Sequence, residues 1–171
     1  MKVNVELCIV HDDVSKEAAN GLCNILYNRH NCMTWTKKEF YDNRITSFKT
    51  MSNNQKILYL SEELIQENLP KNMWEQHLPI TESTSLVCIG NQYGIILDKV
   101  EIEKVPFLSW SEWWKYLISL VSTGILSIAA ASYLWKNRKK DAVAMKKKKL
   151  YLDAVSHLVE KNNIKILFPE Q

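Results

Sequence analysis

Residues 3–13, VNVELCIVHDD, decide the fold class, because a short apolar run ends there in two acidic residues. β-branched residues favour a strand, and buried strands of parallel sheets have nearly continuous apolar runs. Ser15 suits a helix N-cap, and apolar residues then recur at helical spacing from Ala18 to Leu26. Residues 32–36, CMTWT, are a second strand candidate. Strand, helix and strand in this order predict a parallel pair joined by a right-handed crossover.

Further strands and helices alternate along the next thirty residues. Residues 37–43, KKEFYDN, predict a polar loop with two exposed aromatic side chains, and residues 44–52 predict a weak helix. Residues 56–60, KILYL, predict a third strand, after which Ser61 can cap a helix that begins at Glu62. The alternation predicts an α/β fold with an open, mostly parallel sheet and flanking helices.

The signals are weaker beyond residue 70. Pro70 is expected to interrupt or end the helix that begins at Glu62, and Trp74 and Leu78, one helical turn apart, are expected to pack together. Further strands are predicted at residues 85–89, 94–97 and 164–168, with a turn at Gly90 and Asn91 between the first two. A helix is predicted over residues 141–160, where several apolar residues share one face.

Residues 116–135, YLISLVSTGILSIAAASYLW, contain no charged residue and no proline. As a helix they would span about 30 Å, the thickness of the hydrocarbon core of a bilayer. Aromatic residues at both ends and basic residues after the segment are typical of a membrane interface. The interface is expected to include Trp113, Trp114, Tyr116, Tyr133, Trp135, Lys136, Arg138, Lys139 and Lys140. The pattern predicts a long membrane-associated helix, and a buried helix of a soluble fold is the alternative.

Charge is distributed unevenly along the chain. Residues 1–111 carry 11 Lys or Arg and 14 Asp or Glu, whereas residues 112–171 carry 11 and 5. The predicted organisation is an α/β domain at 1–111, an apolar helix, expected to be transmembrane, at 112–136, and a basic helical tail at 137–171. Basic residues beside an apolar segment favour a membrane surface. We do not expect nucleic acid as a partner, because no nucleic-acid-binding motif accompanies the basic residues.

Cysteine and histidine usage favours neither disulfides nor a metal site. Cys8, Cys23, Cys32 and Cys88 lie in or near apolar stretches, and no C-x-x-C pair occurs. The first residues do not have the pattern of a signal peptide, so reduced thiols in a cytoplasmic N-terminal domain are expected. The four histidines have no metal-ligand spacing, and four glycines leave no phosphate-binding glycine loop. No metal or cofactor is therefore expected.

The order of features in residues 3–115 resembles a TIR (Toll/interleukin-1 receptor) domain, a flavodoxin-like module of innate-immune receptors and of NAD-consuming effectors. The matching pieces are ELCIVHDD at 6–13, TWTKKEFYDNR at 34–44, KILYLSEEL at 56–64 and FLSWSEWWKYL at 107–117. The resemblance covers about two-thirds of the chain and depends on the order and spacing of these pieces. It implies self-association, or assembly with other TIR-like domains, in signalling.

Two departures from the TIR pattern bear on activity. The loop at 40–44, FYDNR, lacks the Pro-Gly turn of the family. Enzymatic members place a glutamate four residues after a tryptophan, and here Leu78 stands at that distance from Trp74. The substitutes are Glu62, Glu63 and Glu67, and the sequence selects none of them. The resemblance therefore favours interaction over NAD hydrolysis.

Three functions follow from these patterns. The first is a membrane-associated signalling or adaptor protein that binds partners through Phe40, Tyr41, Asp42 and Arg44, since exposed aromatics and arginine are common interface anchors. The second is an NAD glycohydrolase that uses one of the three glutamates. The third is a membrane-perturbing effector whose apolar helix oligomerises. The topology stays open, because the basic flank and the expected cytoplasmic domain place both ends of one spanning helix on the same side.

Overall fold

The computed structural model of the chain describes residues 5–48, 55–98, 100–101, 114, 118, 126–160 and 164–169. These residues form six strands and five α-helices in a mixed α/β arrangement. The strands are β1 (Leu7–His11), β2 (Cys32–Thr36), β3 (Lys56–Tyr59), β4 (Gln76–Thr81), β5 (Thr84–Ile89) and β6 (Gln92–Leu97). The helices are α1 (Lys16–Leu26), α2 (Lys37–Phe48), α3 (Glu62–Asn68), α4 (Leu126–Glu160) and α5 (Ile164–Leu167), and Lys71–Met73 is a 3₁₀ turn.

The strands form one sheet in the order β2-β1-β3-β6-β5-β4. β1 pairs in parallel with β2 and β3, and β3 pairs in parallel with β6. β5 is antiparallel to both β6 and β4, so five strands run in one direction and β5 runs in the other. The predicted α/β class with flanking helices is confirmed for the described part of the chain, where the sheet is mixed, with three parallel and two antiparallel strand pairs.

The helices cover both faces of this sheet. β2 and β3 lie on opposite sides of β1, so two right-handed crossovers place α1 on one face and α2 on the other. Lys37 of α2 forms ion pairs with Glu63 and Glu67 of α3, which shows that α2 and α3 lie side by side. We call their side of the sheet the α2–α3 face and the opposite side the α1 face.

The α2–α3 face holds an apolar core with several aromatic rings. Its buried members are Cys8, Val10, Phe40, Ile57, Tyr59, Leu64, Ile65, Leu69 and Val87. Gly94 lies under α3, where an added Cβ would stand 2.9 Å from side-chain atoms of Ile65 and Leu69. The missing side chain therefore allows α3 to approach β6 closely.

The α1 face is closed by α1 and by the last turns of α4. α1 buries Ala18, Ala19, Leu22 and Leu26 at helical spacing, as predicted, although Ile25 is exposed. Tyr151, Ala154, Val155 and Leu158 are buried on one stripe of α4. Glu17 of α1 pairs with Lys148 of α4 at 2.5 Å. Residues from near the C-terminus thus complete a face whose other residues come from the first hundred.

The chain after α4 packs at the amino-terminal edge of the sheet. The ring of Phe168 stacks on His30 with 3.8 Å between centroids, and Lys56 Nζ lies 4.9 Å from the same ring. Tyr93 Oη donates a hydrogen bond to the carbonyl of Ile166 at 3.3 Å, and Lys56 donates one to the carbonyl of Leu167. The predicted strand at 164–168 is wrong for this reason: side-chain donors at the sheet edge satisfy carbonyls of a short helix, α5.

The predicted loop at 37–43 is also wrong, because α2 begins directly at Lys37. Thr36 and Glu39 form a capping box, in which Glu39 N donates to Thr36 Oγ1 at 3.2 Å and Thr36 N donates to Glu39 Oε2 at 2.8 Å. Trp35 and Phe40 flank the box with ring centroids 6.5 Å apart, the arrangement of a hydrophobic staple. Together these contacts start the helix and direct Phe40 into the core.

The helical spacing of Trp74 and Leu78 is not used, because Trp74 follows a 3₁₀ turn and Leu78 lies in β4. Trp74 Nε1 donates to the carbonyl of Leu69 at 2.9 Å, and its ring stacks on His77. Leu78 pairs across the sheet with Leu86 of β5. Pairing with β5 satisfies backbone hydrogen-bonding groups of residues 76–81. The predicted turn at Gly90 is confirmed, and Gly90 has a positive φ of 56°.

The chain divides into two compact units, one of Met1–Lys99 with Lys147–Gln171 and the other of Val100–Lys146. α4 contributes residues to both units, and its range confirms the predicted helix at 141–160. Across the described ranges, no helix has both the length and the apolar character needed to cross a bilayer. Within the apolar stretch at 116–135, residues 116–117 and 119–125 lie outside those ranges.

Candidate functional site

A small cavity lies at the carboxyl ends of β1 and β3. In open α/β sheets, ligands bind outside the carboxyl ends of the strands, where consecutive crossovers diverge to opposite sides. β1 is the strand at which this divergence occurs, because β2 and β3 flank it. The cavity has a volume of about 200 Å³, and we call it the switch-point cavity. Its lining residues are Asp12, Ser61, Glu62, Glu63, Lys147 and Tyr151.

Asp12 follows β1 directly and closes the start of α1. Asp12 Oδ1 accepts hydrogen bonds from the backbone N and the Oγ of Ser15, each at 2.8 Å. Ser15 is fully buried, and its Oγ in turn accepts from Asp12 N at 3.1 Å. Asp13, by contrast, is exposed. The first acid of the pair therefore shapes the loop between β1 and α1.

Ser61 and Glu62 follow β3 on the other side of the cavity. Ser61 is buried and extended, and its carbonyl accepts from Ile65 N at 3.0 Å as α3 begins. Its side chain makes no capping hydrogen bond within α3. Glu62 stands in the first turn, and its Oε2 lies 2.6 Å from Lys147 Nζ. A negative charge at a helix N-terminus is favourable, and the lysine neutralises it further.

Lys147 and Tyr151 bring α4 into the cavity. They are four residues apart on a helix and therefore share one face. Tyr151 is 1% exposed, and burial raises the pKa of its phenol, with smaller contributions from the negative charges of Asp12 and Glu62. The phenol is neutral at every physiological pH, so it can donate a hydrogen bond but cannot act as a base.

The three candidate glutamates differ in position. Glu62 and Glu63 line the cavity, whereas Glu67 lies one turn further along α3 and accepts a hydrogen bond from the Tyr41 hydroxyl. Lys37 hydrogen-bonds to Glu63 and thereby holds the pKa of that carboxyl below its usual value. The two glutamates at the cavity are therefore each paired with a lysine, which opposes a role as general base.

The size of the cavity also bears on catalysis. Pockets for small organic ligands usually have volumes of about 300–1,000 Å³. At about 200 Å³, the switch-point cavity is smaller than that range. NAD is large for a small organic ligand, so the small volume opposes NAD binding in this cavity. Among the residues whose positions are described, no group of three or more His, Cys, Asp and Glu side chains is arranged to hold a metal ion.

The predicted partner-binding residues are not one exposed patch. Phe40 is fully buried against Tyr59, with ring centroids 5.7 Å apart, so its prediction as an exposed anchor is wrong. Tyr41 is half-buried, and Asp42 is exposed. Arg44 lies within α2, but its side chain is outside the described part of the structure.

The predicted membrane-interface residues are described only in part. Trp113 and Tyr116 lie outside the described ranges, as does the side chain of Tyr133. Trp114 and Trp135 are both more than half exposed, at 54% and 56%. The basic residues after Trp135 are exposed except Arg138, which is half-buried; they are Lys136, Lys139 and Lys140.

Sequence reasoning missed Lys147 and Tyr151 as site residues. Lys147 belongs to the run of four lysines at 146–149, and such a run predicts a surface that faces solvent or a membrane. A local signal existed in the spacing of Tyr151, Ala154 and Leu158, which places the tyrosine on the apolar stripe. The position of that stripe against β1 and β3 depends on contacts across more than eighty residues of chain.

Comparisons with known proteins identify no relative of the chain. No protein-family model, no curated protein and no solved structure matches it significantly.

Proposed function

We propose that the protein is a membrane-associated signalling or adaptor module with a TIR-like α/β domain on the cytoplasmic side. It acts by assembly, with further copies of itself or with similar domains. The observation that carries the proposal is the composition of α4. A single helix contains the end of the apolar stretch, the exposed Trp135 with its basic neighbours, and the stripe from Tyr151 to Leu158 that packs in the domain.

Membrane association is supported by the chemistry of residues 135–140. An exposed tryptophan followed by exposed lysines matches the interfacial region of a bilayer, where the indole lies at headgroup level and lysines meet anionic lipid. Each basic residue near an anionic surface contributes about 1 kcal/mol to binding. The apolar residues that precede Trp135 in α4 would enter the acyl region.

Assembly is preferred over NAD hydrolysis because of the switch-point cavity. The cavity is small, and both of its glutamates are paired with lysines, Glu62 with Lys147 and Glu63 with Lys37. A domain that is held at a membrane and whose switch-point glutamates are paired with lysines is suited to recruit other proteins. Asp42 and the half-buried Tyr41 are the described residues of the predicted partner surface that solvent reaches.

The membrane part is tested by flotation of the full chain with vesicles. We expect the protein to float with vesicles that contain phosphatidylserine, and to float less at high salt. Trp135→Ala combined with Lys139→Glu and Lys140→Glu should reduce the floating fraction severalfold. The matched control is Lys71→Glu, which reverses the charge of an exposed residue in the 3₁₀ turn. Recovery of the unmodified chain entirely in the bottom fraction would contradict membrane association.

The assembly part is tested by cross-linking of full chains on the same vesicles. Asp42→Arg should reduce cross-linked oligomers, whereas Asp98→Arg, at the exposed end of β6, should not. Equal oligomer formation by both variants would contradict the proposal that α2 forms part of the partner surface.

The two competing functions have direct readouts. Release of nicotinamide from NAD by the full chain, lost in Glu62→Gln, would establish the hydrolase instead. Leakage of dye from the vesicles at the concentrations used for flotation would establish the membrane-perturbing effector.

A further inference from the structure

A second and larger cavity lies between the β4–β5 hairpin and α4. It has a volume of about 720 Å³ and is lined by residues 79–83 of the hairpin and by Leu150, Asp153 and His157 of α4. All of these residues belong to one compact unit. We call this cavity the hairpin groove. Its volume lies within the range of about 300–1,000 Å³ that is typical of sites for small organic molecules.

α4 has a separate stripe of residues for the groove. The buried stripe of Tyr151, Ala154 and Leu158 packs in the core, whereas Leu150, Asp153 and His157 follow at spacings of three and four and line the groove. Two adjacent stripes of one helix thus have different environments.

The groove has an apolar floor. Ile80 is buried and Leu150 is half-buried, and both line the groove. The hydroxyl of Thr81 is already used within the hairpin, since Thr81 Oγ1 and Thr84 Oγ1 are hydrogen-bonded at 2.6 Å and Ser83 N donates to Thr81 Oγ1 at 3.2 Å. The other polar side chains of the groove are Glu82, Ser83, Asp153 and His157, and the two carboxylates among them are the charged groups available for recognition.

These polar groups have unused bonding capacity. Glu82 and Asp153 are exposed carboxylates that form no ion pair within the described ranges, and no lysine or arginine lines the groove. His157 Nδ1 is buried without a hydrogen-bond partner. An imidazole has two polar nitrogens, and a buried one without a partner costs free energy. A donor that enters the groove, or a small turn of the ring toward it, would satisfy that nitrogen.

We propose that the hairpin groove binds a small organic cation with an apolar body. The ammonium or guanidinium group meets the carboxylates of Glu82 and Asp153, and the apolar body covers Ile80 and Leu150. Charge complementarity selects this class, because the groove offers two carboxylates and no cation. The site is separate from the switch-point cavity and does not depend on the membrane or assembly function.

The test uses the full chain and two matched probes, 4-phenylbutylamine and the uncharged 4-phenylbutan-1-ol. By calorimetric titration at neutral pH, we expect the amine to bind at least about tenfold more tightly than the alcohol, since hydrogen bonds to charged groups are the stronger ones. The double variant Glu82→Gln, Asp153→Asn should remove this difference. Glu160→Gln, an exposed carboxylate on the same helix outside the groove, should leave it intact.

The position of the ligand is tested separately by the ring C–H resonances of His157. They should shift when the amine is added and stay unchanged in the double variant. Equal affinity for amine and alcohol, no binding of either probe, or an unaltered amine affinity in a folded double variant would each overturn the proposal. Binding of a tri-lysine peptide without binding of the amine would also overturn it, because the partner would then be a protein.

Discussion

The two faces of the sheet are completed by different parts of the chain. The α2–α3 face is covered by helices that join strands consecutive in the chain, so its core is assembled within residues 8–96. The α1 face receives Tyr151 and Leu158 from the last turns of α4, and both residues lie more than fifty positions after the end of β6. A contact of this kind has a larger loop-closure cost, which grows slowly with the length of the intervening chain. The comparison shows that one face is built by local connections and the other by a distant segment.

The largest expected effects test whether the distant segment belongs to the same cooperative unit. Tyr151→Ala on the α1 face and Phe40→Ala on the α2–α3 face should each lower the free energy of unfolding by about 3–5 kcal/mol, because both side chains are fully buried. Chemical denaturation measures both values. Tyr27→Ala, at a side chain that is 72% exposed, is the control and should change stability by less than about 0.5 kcal/mol. A near-neutral Tyr151→Ala would show that α4 unfolds independently.

The close approach of α3 to β6 is tested at Gly94. Gly94→Val should destabilise the domain by about 1–3 kcal/mol, because the new side chain would overlap Ile65 and Leu69. Gly21→Ala is the matched comparison on the α1 face: its Cβ would meet no atom within 4 Å, and alanine favours a helix by about 0.5–1 kcal/mol. Thermal melting should therefore move in opposite directions for the two variants. Equal shifts would contradict the difference in packing between the faces.

The ion pair at the switch-point cavity should contribute less. Lys147 and Glu62 are about one-third exposed, at 29% and 36%, so solvent screens their attraction. A double-mutant cycle with Lys147→Met and Glu62→Gln should give a coupling free energy of about 0.2–1 kcal/mol at low salt, and less at 1 M salt. The cavity would be more deeply desolvated than the structure indicates if the coupling were large and independent of salt.

The smallest effect is expected at the rim of the α2–α3 face. Lys37 lowers the pKa of Glu63, so the pair stabilises the fold above the pKa that Glu63 has in the unfolded chain. That contribution is lost as the pH falls through the lower, folded-state pKa. In Lys37→Met, the Glu63 pKa should rise toward its usual value, as measured by NMR titration of the side-chain carboxyl carbon. Lys38→Met, which changes the adjacent exposed lysine, should leave it unchanged.

Much of the fold could be predicted from local patterns. The strands around residues 7–11, 32–36, 56–59, 84–89 and 92–97 follow from apolar runs with turns between them, and α1 follows from its periodicity. The start of α2 could have been predicted as well, since Thr36 and Glu39 have the spacing of a capping box. The error at 37–43 arose because polar residues around two aromatics were interpreted as a loop.

Other features could not be predicted locally. The spacing of Trp74 and Leu78 is compatible with a helix, and only the ladder with β5 makes residues 76–81 a strand. Half of the candidate site could have been predicted from strand ends, because Asp12, Ser61 and Glu62 follow strands and parallel strands align their carboxyl ends; of the cavity residues, only Glu62 and Glu63 were among the predicted candidates. The other half, Lys147 and Tyr151, comes from a segment whose sequence is equally suited to a free basic helix.

The sequence by itself determined the strand and helix signals, the α/β class and the segregation of charge, because these depend on neighbours within a few residues. The tertiary structure decided that Phe40 is core, that α4 closes the α1 face, and that two cavities flank that helix. The physical reason is that local hydrogen bonds and periodicity are encoded residue by residue. Burial and pairing between distant residues form only when the chain folds, and folding must offset the conformational entropy that is lost when these residues are brought together.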